Sequence, residues 1–267
     1  MELAGRKALL TGATGGLGRA IARALAARGA VLSLSARKPE ALAELAAELP
    51  GSGHRTLPAD LAEPGAAERL AAEAAGTELL IANAGLPAAG RMEDFSPEQV
   101  KRALRVNLEV PMLLAQALYP AMLEKGSGHL VFVASLAGKA PAPRTTIYNA
   151  TKFGLRGFAL GLRADLAPQG VGVSLISPGF IREAGMFAES GAKSPPGLGT
   201  STPEEVAAAT VRAIEADRVE IAVAPARQRF LAHFGLASPS LAVRTASGSA
   251  GQRSAVEIAD GHPKDKR

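Results

Sequence analysis

Short apolar runs alternate with longer helical stretches through the first 225 residues, and this alternation limits the possible folds more than any other feature. Apolar runs of this length are typical of strands buried on both faces. Strands that alternate with helices form a parallel sheet with helices on both sides. The sequence therefore predicts a single α/β domain with a doubly wound, Rossmann-type parallel sheet. Its strands are expected over 7–12, 30–36, 54–60, 78–85, 128–135, 171–179 and 220–225.

A long helix is predicted over 96–125. Ser96 stands at its N-cap, followed by Pro97 at the first helical position and Gln99 at the third, which is the pattern of a capping box. Pro111 and Pro120 predict bends within this helix. A second long helix is predicted over 146–167.

The composition excludes several classes of site. The chain has no cysteine, so disulfides, thiolate catalysis and zinc–cysteine sites are excluded, and no metal site is predicted. Hydrophobic residues make up 47% of the sequence, which is enough for a sizeable core. No run approaches the roughly 18–20 apolar residues that span a bilayer, and the N-terminus lacks an apolar stretch of signal-peptide length. We therefore expect a cytoplasmic protein without membrane association.

The positive charge of the chain is concentrated at its C-terminal end. Residues 226–267 carry seven basic and three acidic groups, which is +4 of the formal net charge of +5. The remaining 225 residues are close to neutral and have no basic stripe of the kind that binds nucleic acid. No nucleic-acid partner is expected.

The C-terminal part divides into two segments beyond a domain predicted over 1–225. Residues 226–245 form an extension in which Phe230 and Phe234 stand at i and i+4 near several arginines. This extension is expected to be a docking helix on the body of the protein, and a weak amphipathic contact with an anionic membrane is the alternative. Residues 246–267 are predicted to be a polar, mobile tail.

The segment TGATGGLG (11–18) follows the first strand and opens the first helix. Gly12, Gly16 and Gly18 let the backbone approach a pyrophosphate, and the helix N-terminus offers unpaired N–H groups to it. The alternative is an ordinary glycine-rich turn between strand and helix. The position of the turn next to the first strand favours dinucleotide binding.

The end of the second strand bears on the choice between NADP(H) and NAD(H). Ala36 stands where an NAD-binding chain has a carboxylate for the ribose hydroxyls, and Arg37 and Lys38 follow it. A guanidinium suits a 2′-phosphate by charge and geometry. Two solvated charges before a helix are the alternative. The missing carboxylate favours NADP(H), with NAD(H) still possible.

Tyr148 and Lys152 stand at i and i+4 on one helical face in the segment YNATK. A lysine ammonium beside a phenol, together with the positive charge of an oxidised nicotinamide, favours the phenolate and lowers its pKa from about 10. Ser135 ends the fifth strand and Asn107 falls inside a predicted helix, where Asn usually points to solvent. Each residue alone has a purely structural explanation, such as a strand-end hydroxyl or a half-buried aromatic.

Asp60 and the segment Asn83-Ala84-Gly85 end the third and fourth strands. Alone, Asp60 could cap the next helix and the second segment could be a plain turn. Together with the glycine turn, Asn107, Ser135, YNATK and Pro178-Gly179, they resemble the classical short-chain dehydrogenase/reductase family over about residues 5–225. The resemblance implies an NAD(P)-dependent enzyme that interconverts a carbonyl and a secondary alcohol by hydride transfer.

The resemblance also implies a role for each site residue. The catalytic residues would be Asn107, Ser135, Tyr148 and Lys152, with Tyr148 as general acid/base and Ser135 and Tyr148 holding the substrate oxygen. Lys152 would bind the nicotinamide ribose and Asn107 would keep a water in the proton relay. The implied cofactor contacts are Gly12, Thr14, Gly15, Gly16, Leu17, Gly18, Arg37, Asp60, Leu61, Asn83, Ala84, Gly85, Tyr148, Lys152, Pro178, Gly179 and Ile181.

The chain departs from the family pattern at two positions. Ala82 stands where the family often has a second Asn before Asn83, and Glu183 stands where it commonly has a Thr that contacts the nicotinamide amide. The substitution at Glu183 puts that contact in doubt, while the hydride chemistry does not depend on it.

Substrate and assembly are less constrained. A lid is expected over 183–200, where Met186 and Phe187 suggest an apolar substrate. The resemblance implies a homodimer or homotetramer packed through the helices at 96–125 and 146–167. Two rival functions are a dinucleotide-binding sensor or scaffold without turnover and a sugar-nucleotide epimerase, whose chains are usually longer.

Overall fold

Seven parallel strands form one sheet in the order β3-β2-β1-β4-β5-β6-β7, which confirms the predicted fold class. The computed structural model describes residues 1–262, with the backbone alone for residues 249–254. The strands are β1 (Lys7–Thr11), β2 (Val31–Ala36), β3 (Arg55–Pro58), β4 (Leu79–Ala82), β5 (Gly128–Val133), β6 (Val171–Pro178) and β7 (Glu220–Val223).

Helices connect the strands and continue beyond the last one. They are α1 (Gly16–Ala26), α2 (Pro39–Glu48), α3 (Ala66–Glu73), α4 (Pro97–Leu104), α5 (Val110–Glu124), α6 (Thr146–Leu166), α7 (Gly185–Glu189), α8 (Pro203–Glu215), α9 (Ala226–Ala237), α10 (Pro239–Ala246) and α11 (Ser249–Asp260). The capping boxes at Ser96 and Thr202 both form, which explains why α4 and α8 begin where they do.

Successive strand residues point to opposite faces of the sheet, so each face has its own core. Leu10 packs with α1, α2 and α8 on one face, whereas its neighbour Leu9 packs with α3, α5 and α6 on the other. Both side chains are fully buried. Helices cover both faces of the sheet. Ligands of such sheets bind beyond the carboxyl ends of the strands, so a functional site is expected there.

The helix predicted over 96–125 is interrupted at a place that the proline positions do not predict. Residues Arg105–Glu109 form a single π-helical turn between α4 and α5, and Asn107 lies in it. Pro111 falls in the first turn of α5, where a missing N–H costs little, and the helix continues through Pro120 to Glu124. The structure thus places a π-helical bulge at Asn107, as is common at functional sites, and the bends at Pro111 and Pro120 stay predictions.

The stretch Pro97–Glu124 is long and apolar enough to cross a membrane by length and composition. This finding corrects the expectation that no segment approaches that length. Val110, Leu114 and Leu118 of α5 pack into the core beside the sheet. Core helices of this kind satisfy the same length criterion, so the stretch is weak grounds for a membrane span.

The C-terminal part is more ordered than its composition predicts. The expected docking segment consists of α9 and α10, and the predicted mobile tail contains the helix α11, where Ala255 and Ala259 are buried. Alanines at this spacing give a small apolar stripe that the polar composition conceals. Residues 263–267 of the predicted tail lie outside the described residues. The boundaries at 225 and 245 stay predictions.

Candidate active site

The glycine turn brings three backbone segments into direct contact at the carboxyl end of β1. Gly12 has a left-handed φ of +64°, and a Cβ there would lie 2.9 Å from Cα of Ala84. A Cβ at Gly18 would collide with the carbonyl oxygen of Gly12 and lie 2.8 Å from Cα of Ala13. Only glycine permits the strand, the helix and the next strand to approach this closely.

The N-terminus of α1 is suited to an anion. Its N-cap residue, Gly15, provides no side-chain cap, so the first-turn N–H groups near Gly16, Leu17 and Gly18 have no helical partner. Thr14 lies in the turn, where its carbonyl oxygen accepts a bond from Arg19 Nε at 3.3 Å. These donors and the absence of side chains at the glycines fit the pyrophosphate of a nicotinamide dinucleotide.

Thr11 joins the glycine turn to the end of β4 and was missed in the sequence analysis. Its hydroxyl accepts bonds from the backbone N–H groups of Asn83 (3.0 Å) and Ala84 (3.1 Å). Asn83 Nδ2 donates in return to the carbonyl oxygens of Thr11 and Gly12, at 3.0 and 3.2 Å. A Thr at the last position of β1 is the only signal that the sequence offers for this link.

Arg37 and Asp60 follow the carboxyl ends of the neighbouring strands β2 and β3. Arg37 is exposed, and within residues 1–262 its side chain makes no hydrogen bond or ion pair. Asp60 Oδ1 accepts a bond from the N–H of Ala62 at 2.9 Å in the loop before α3, whose N-cap is Gly65, so Asp60 does not cap that helix. Leu61 is buried against the core, which leaves its backbone as the part that can face a cofactor.

Ser135, Tyr148 and Lys152 meet at the carboxyl end of β5. Tyr148 and Lys152 share one face of α6, and Lys152 Nζ lies 5.6 Å from the centroid of the Tyr148 ring. Ser135 lies close enough to the Tyr148 side chain to affect its pKa. Lys152 is 3% exposed, and its ammonium donates to the carbonyl oxygen of Val133 at 3.0 Å. The structure therefore brings these three predicted residues together.

The pKa values of this group differ from the expectation that lysine lowers the pKa of Tyr148. Burial raises the pKa of Tyr148, and the nearby Ser135 hydroxyl offsets only part of this effect. Burial also lowers the pKa of Lys152 to about 8. In the cofactor-free protein Lys152 bonds to a carbonyl rather than to the phenol, so it does not lower the pKa of Tyr148, and the effect of an added nicotinamide charge stays a prediction.

Asn107 is buried and does not point to solvent. Its Oδ1 accepts the Leu86 N–H at 2.6 Å and its Nδ2 donates to the Leu86 carbonyl at 3.0 Å. A Cβ at Gly85 would lie 3.4 Å from Asn107 Oδ1 and 3.9 Å from Lys152 Nζ. The π-helical turn thus places Asn107 beside the segment Asn83-Ala84-Gly85 and close to Lys152.

A second asparagine, not identified from the sequence, fixes the loop that follows Ser135. Asn149 Nδ2 donates to the carbonyl oxygens of Ala137 (2.6 Å) and Ala140 (3.2 Å). Ser135 Oγ accepts from the Ala137 N–H at 3.1 Å and lies 3.4 Å from the Pro178 carbonyl, to which it can donate. Asn149, which follows Tyr148, thus holds residues 135–140, which we call the serine loop.

The predicted lid lies against the glycine turn (11–18) and the segment 83–85, which together we call the cofactor edge. A Cβ at Gly16 would collide with Ala184, and one at Gly85 would lie 3.3 Å from Cε of Met186. Glu183 has a φ of +72°, which is uncommon outside glycine, and its exposed carboxylate pairs with Arg182 at 2.8 Å. Ile181 is buried and pairs with Ser201 across the two ends of the lid.

Gln228 of α9 clamps the base of the lid and was also missed. Its Oε1 accepts the Phe180 N–H at 3.3 Å, and its Nε2 donates to the Gly199 carbonyl at 2.8 Å. The same Oε1 lies directly against Gly179, where a Cβ would collide with it. The C-terminal extension therefore supports the segment Pro178-Gly179, and the favoured docking-helix interpretation fits this packing.

A buried ion-pair cluster stands beside the serine loop. Glu220 accepts bonds from Lys139 Nζ at 3.0 Å and Ser177 Oγ at 2.8 Å, and Arg156 lies 3.3 Å away. Burial alone would raise the pKa of Glu220, but the bonds from Lys139 and Ser177 outweigh it and the pKa is lowered. Among residues 1–262 there is no group of three or more His, Asp or Glu side chains that could hold a metal ion.

Comparison with protein families gives one matching family model. It is described as short chain dehydrogenase and matches residues 6–195. A ketoacyl reductase, HetN, of Nostoc sp. is 34% identical over 83% of this chain and 79% of its own length. Dehydrogenase/reductase SDR family member 7B of Bos taurus is 40% identical over 65% of this chain, which spans 57% of that protein.

Solved structures show the same architecture. A metagenomic short-chain oxidoreductase in complex with NADP superimposes with a TM-score of 0.70 at 30% sequence identity, covering 84% of this chain and 98% of its own. The shared architecture includes the parallel sheet whose carboxyl ends carry the residues described above.

Proposed function

Because the chain belongs to the short-chain dehydrogenase family and is an NAD(P)-dependent oxidoreductase of a small molecule, we propose that it reduces a carbonyl with NADPH and Tyr148 as proton donor. The observation that carries this proposal is the contact of Ser135, Tyr148 and Lys152, in which Lys152 is buried and the other two side chains are partly buried. A dinucleotide sensor without turnover would not need a phenol, a hydroxyl and an ammonium in one site.

The raised pKa of Tyr148 suits it to act as an acid. Burial keeps the phenol protonated at neutral pH, so a proton is ready when negative charge develops on the substrate oxygen. Ser135 donates a second hydrogen bond to that oxygen and orients it. The bound nicotinamide supplies the hydride.

Lys152 supplies positive charge near the phenol. With a pKa of about 8, most of its ammonium is charged at pH 7. This charge favours the phenolate that remains after Tyr148 has given up its proton. Asn107 holds the Leu86 backbone and lies near Lys152, a position from which it can support proton return to the buried pair.

The cofactor preference rests on Arg37 and Ala36. Arg37 is exposed at the end of β2, and no acidic side chain occupies position 36. A guanidinium forms charge-assisted bonds with a 2′-phosphate. The related structure with bound NADP supports the same choice for this chain.

An apolar substrate fits the lid. Phe180 and Phe187 contact each other with ring centroids 4.8 Å apart, and Met186 lies over Gly85. Since a 34% identical relative is named a ketoacyl reductase, a β-ketoacyl thioester is the first substrate to test.

The assembly follows from the exposed side chains of the long helices. Leu104, Met112 and Phe153 are large, apolar and exposed on or near α4, α5 and α6. Covering them with a second copy would remove apolar surface from water. We therefore infer a homodimer or homotetramer, and a cytoplasmic location stays a prediction.

The decisive experiment compares Tyr148→Phe with Tyr119→Phe. Tyr119 is the other tyrosine of the chain and packs at the edge of the core. We expect Tyr148→Phe to lower kcat by at least about 100-fold, because a positioned acid is lost, while NADPH affinity stays unchanged. Tyr119→Phe should keep near-normal kcat.

Reduction is measured by NADPH oxidation with a panel of ketones and β-ketoacyl thioesters. Normal turnover by Tyr148→Phe would show that Tyr148 is not the donor. Tight NADPH binding by the unmodified protein without turnover of any substrate would favour the sensor.

A further inference from the structure

Helix α9 presents its large apolar side chains away from the protein. The residues that it buries against the body are Gln228, Ala232 and Gly235, which are polar or small. Phe230 is 68% exposed and stacks on Phe234 at a centroid distance of 6.3 Å. A helix that only docks on its own chain buries its large apolar residues instead.

Helix α10 continues this arrangement. It buries Ala242 and exposes Leu241 and Val243, the latter at 51%. Single exposed apolar residues are ordinary, but clusters of them mark interaction sites. Within the described part of the chain, half of the large exposed apolar side chains lie in α9 and α10: Phe230, Leu231, Leu236, Leu241 and Val243.

The same segment carries only positive charge. No Asp or Glu occurs between Glu220 and Glu257, whereas Arg229 and Arg244 lie exposed beside the apolar residues. We call these seven residues, the five apolar side chains and the two arginines, the α9–α10 surface. Apolar side chains flanked by arginines, with no acidic residue in the same segment, are complementary to the surface of an anionic membrane.

We propose that the α9–α10 surface binds the headgroup region of an anionic lipid bilayer. Phe230 and its apolar neighbours would enter the interface, while Arg229 and Arg244 would pair with lipid phosphates and carboxylates. This proposal takes up the alternative stated for the extension, a contact with an anionic membrane, in place of the expectation of no membrane association, because the large side chains face outward.

Charge disfavours a second copy as the occupant. In a two-fold symmetric interface the same patch faces itself, so Arg229 and Arg244 would approach the arginines of the other copy without an acidic partner. A lipid surface supplies the missing negative charge and requires no shape complementarity.

The test is co-sedimentation of the full chain with vesicles at about 0.15 M salt. One set of vesicles contains phosphatidylcholine alone, and the other contains about one third phosphatidylserine. We expect binding to the second set only, with strong loss at about 1 M salt. Arg229→Gln with Arg244→Gln should weaken it on the order of 25-fold, since each arginine contributes about fivefold.

The apolar contribution is tested separately. Phe230→Ser with Val243→Ser should weaken vesicle binding by at least about tenfold, because both side chains then stay in water. The matched charge control is Lys101→Gln with Arg218→Gln, which removes two exposed cations elsewhere and should bind normally. All substituted positions are exposed, and unchanged thermal unfolding checks that each variant is folded.

Equal binding to both vesicle sets, or no binding to either, would overturn the proposal. A control variant that loses as much binding as the Arg229 and Arg244 variant would show a general charge effect. Self-association or capture of an acidic protein, lost in Phe230→Ser while vesicles remain unbound, would assign the surface to a protein partner instead.

Discussion

Around the glycine turn, the backbones of β1, α1 and β4 touch one another directly, whereas the segments around the serine loop and the lid are joined by buried polar side chains. At the cofactor edge, Gly12 and Gly18 leave no room for a Cβ. The serine loop and the lid form the second region, which we call the substrate edge. There Glu220 bonds Lys139 and Gln228 bonds Gly199, and the partners are far apart in the sequence.

The two edges therefore respond to substitution in different ways. A backbone contact is disturbed by added volume and is indifferent to charge. A buried ion pair is disturbed by loss of one partner and depends on charge and pH.

The largest expected effect is at the substrate edge, in Glu220→Gln. The change leaves Lys139, which is 2% exposed, as a buried charge without its carboxylate. Removing one partner of a buried pair costs about 3–5 kcal/mol of unfolding free energy. Urea unfolding at pH 7 measures this loss.

Glu48→Gln is the matched control for Glu220→Gln. Glu48 pairs with Arg23 at 2.8 Å, but both side chains are about half exposed, so little change is expected. Equal losses in the two variants would contradict the view that burial makes the Glu220 cluster important.

The next effect is at the cofactor edge, in Gly18→Ala. The added methyl meets the backbone of Gly12 and Ala13, which cannot move without separating α1 from β1. Overpacking of this kind costs about 1–3 kcal/mol, and NADPH binding should weaken with it. Unfolding curves and cofactor titration report the two losses.

Gly157→Ala should change the unfolding free energy in the opposite direction to Gly18→Ala. Gly157 lies inside α6 with nothing within 4 Å of an added Cβ. Alanine is favoured there by up to about 1 kcal/mol. If both glycine variants destabilised the protein equally, close backbone contact at Gly18 would not be the cause.

The sequence predicts the cofactor edge better than the substrate edge, because the cofactor edge is built from a local motif and the substrate edge from long-range contacts. A glycine turn after a strand is local, so Gly12, Gly16 and Gly18 could be read directly. The alternating runs likewise predict all seven strands. The helices α7 and α11 are short or polar, and no periodic signal marks them.

Long-range polar partners leave no such signal. Gln228 lies 29 residues from Gly199, and nothing in the segment RQRF indicates that this glutamine is the buried residue while Phe230 is exposed. Asn107 was found through resemblance, but its place in a π-helical turn depends on how α4 and α5 pack. Tertiary packing decides these positions.

The tyrosine–lysine pair yields a pH prediction for the cofactor-free protein. The folded state lowers the pKa of Lys152 from 10.5 to about 8, so the unfolded chain binds more protons between these values. Stability contributed by neutral Lys152 is therefore present at high pH and is lost as pH falls toward 8. From pH 8 to 9.5 the gain is about 2 kcal/mol.

Lys152→Met removes this gain, and its unfolding free energy should be flatter over the same range. The range ends below pH 10 because Tyr148, whose pKa burial raises, has the opposite slope above it. Urea midpoints of the two proteins at several pH values give the comparison. If the unfolding free energies of the two proteins changed with pH in parallel, burial would not lower the pKa of Lys152.

The smallest effect concerns cofactor choice at the exposed rim of the cofactor edge. We expect the unmodified protein to favour NADPH over NADH at least about tenfold in kcat/KM, which corresponds to about 1.4 kcal/mol. Ala36→Asp with Arg37→Ile should reverse this preference, because a carboxylate that repels the 2′-phosphate is added while the guanidinium is removed. Lys38→Gln, which removes the neighbouring exposed charge, should change the ratio less. Both cofactors are compared with one substrate at fixed ionic strength. An unmodified protein that prefers NADH would refute the role of Arg37 and leave the assignment as a dehydrogenase unchanged.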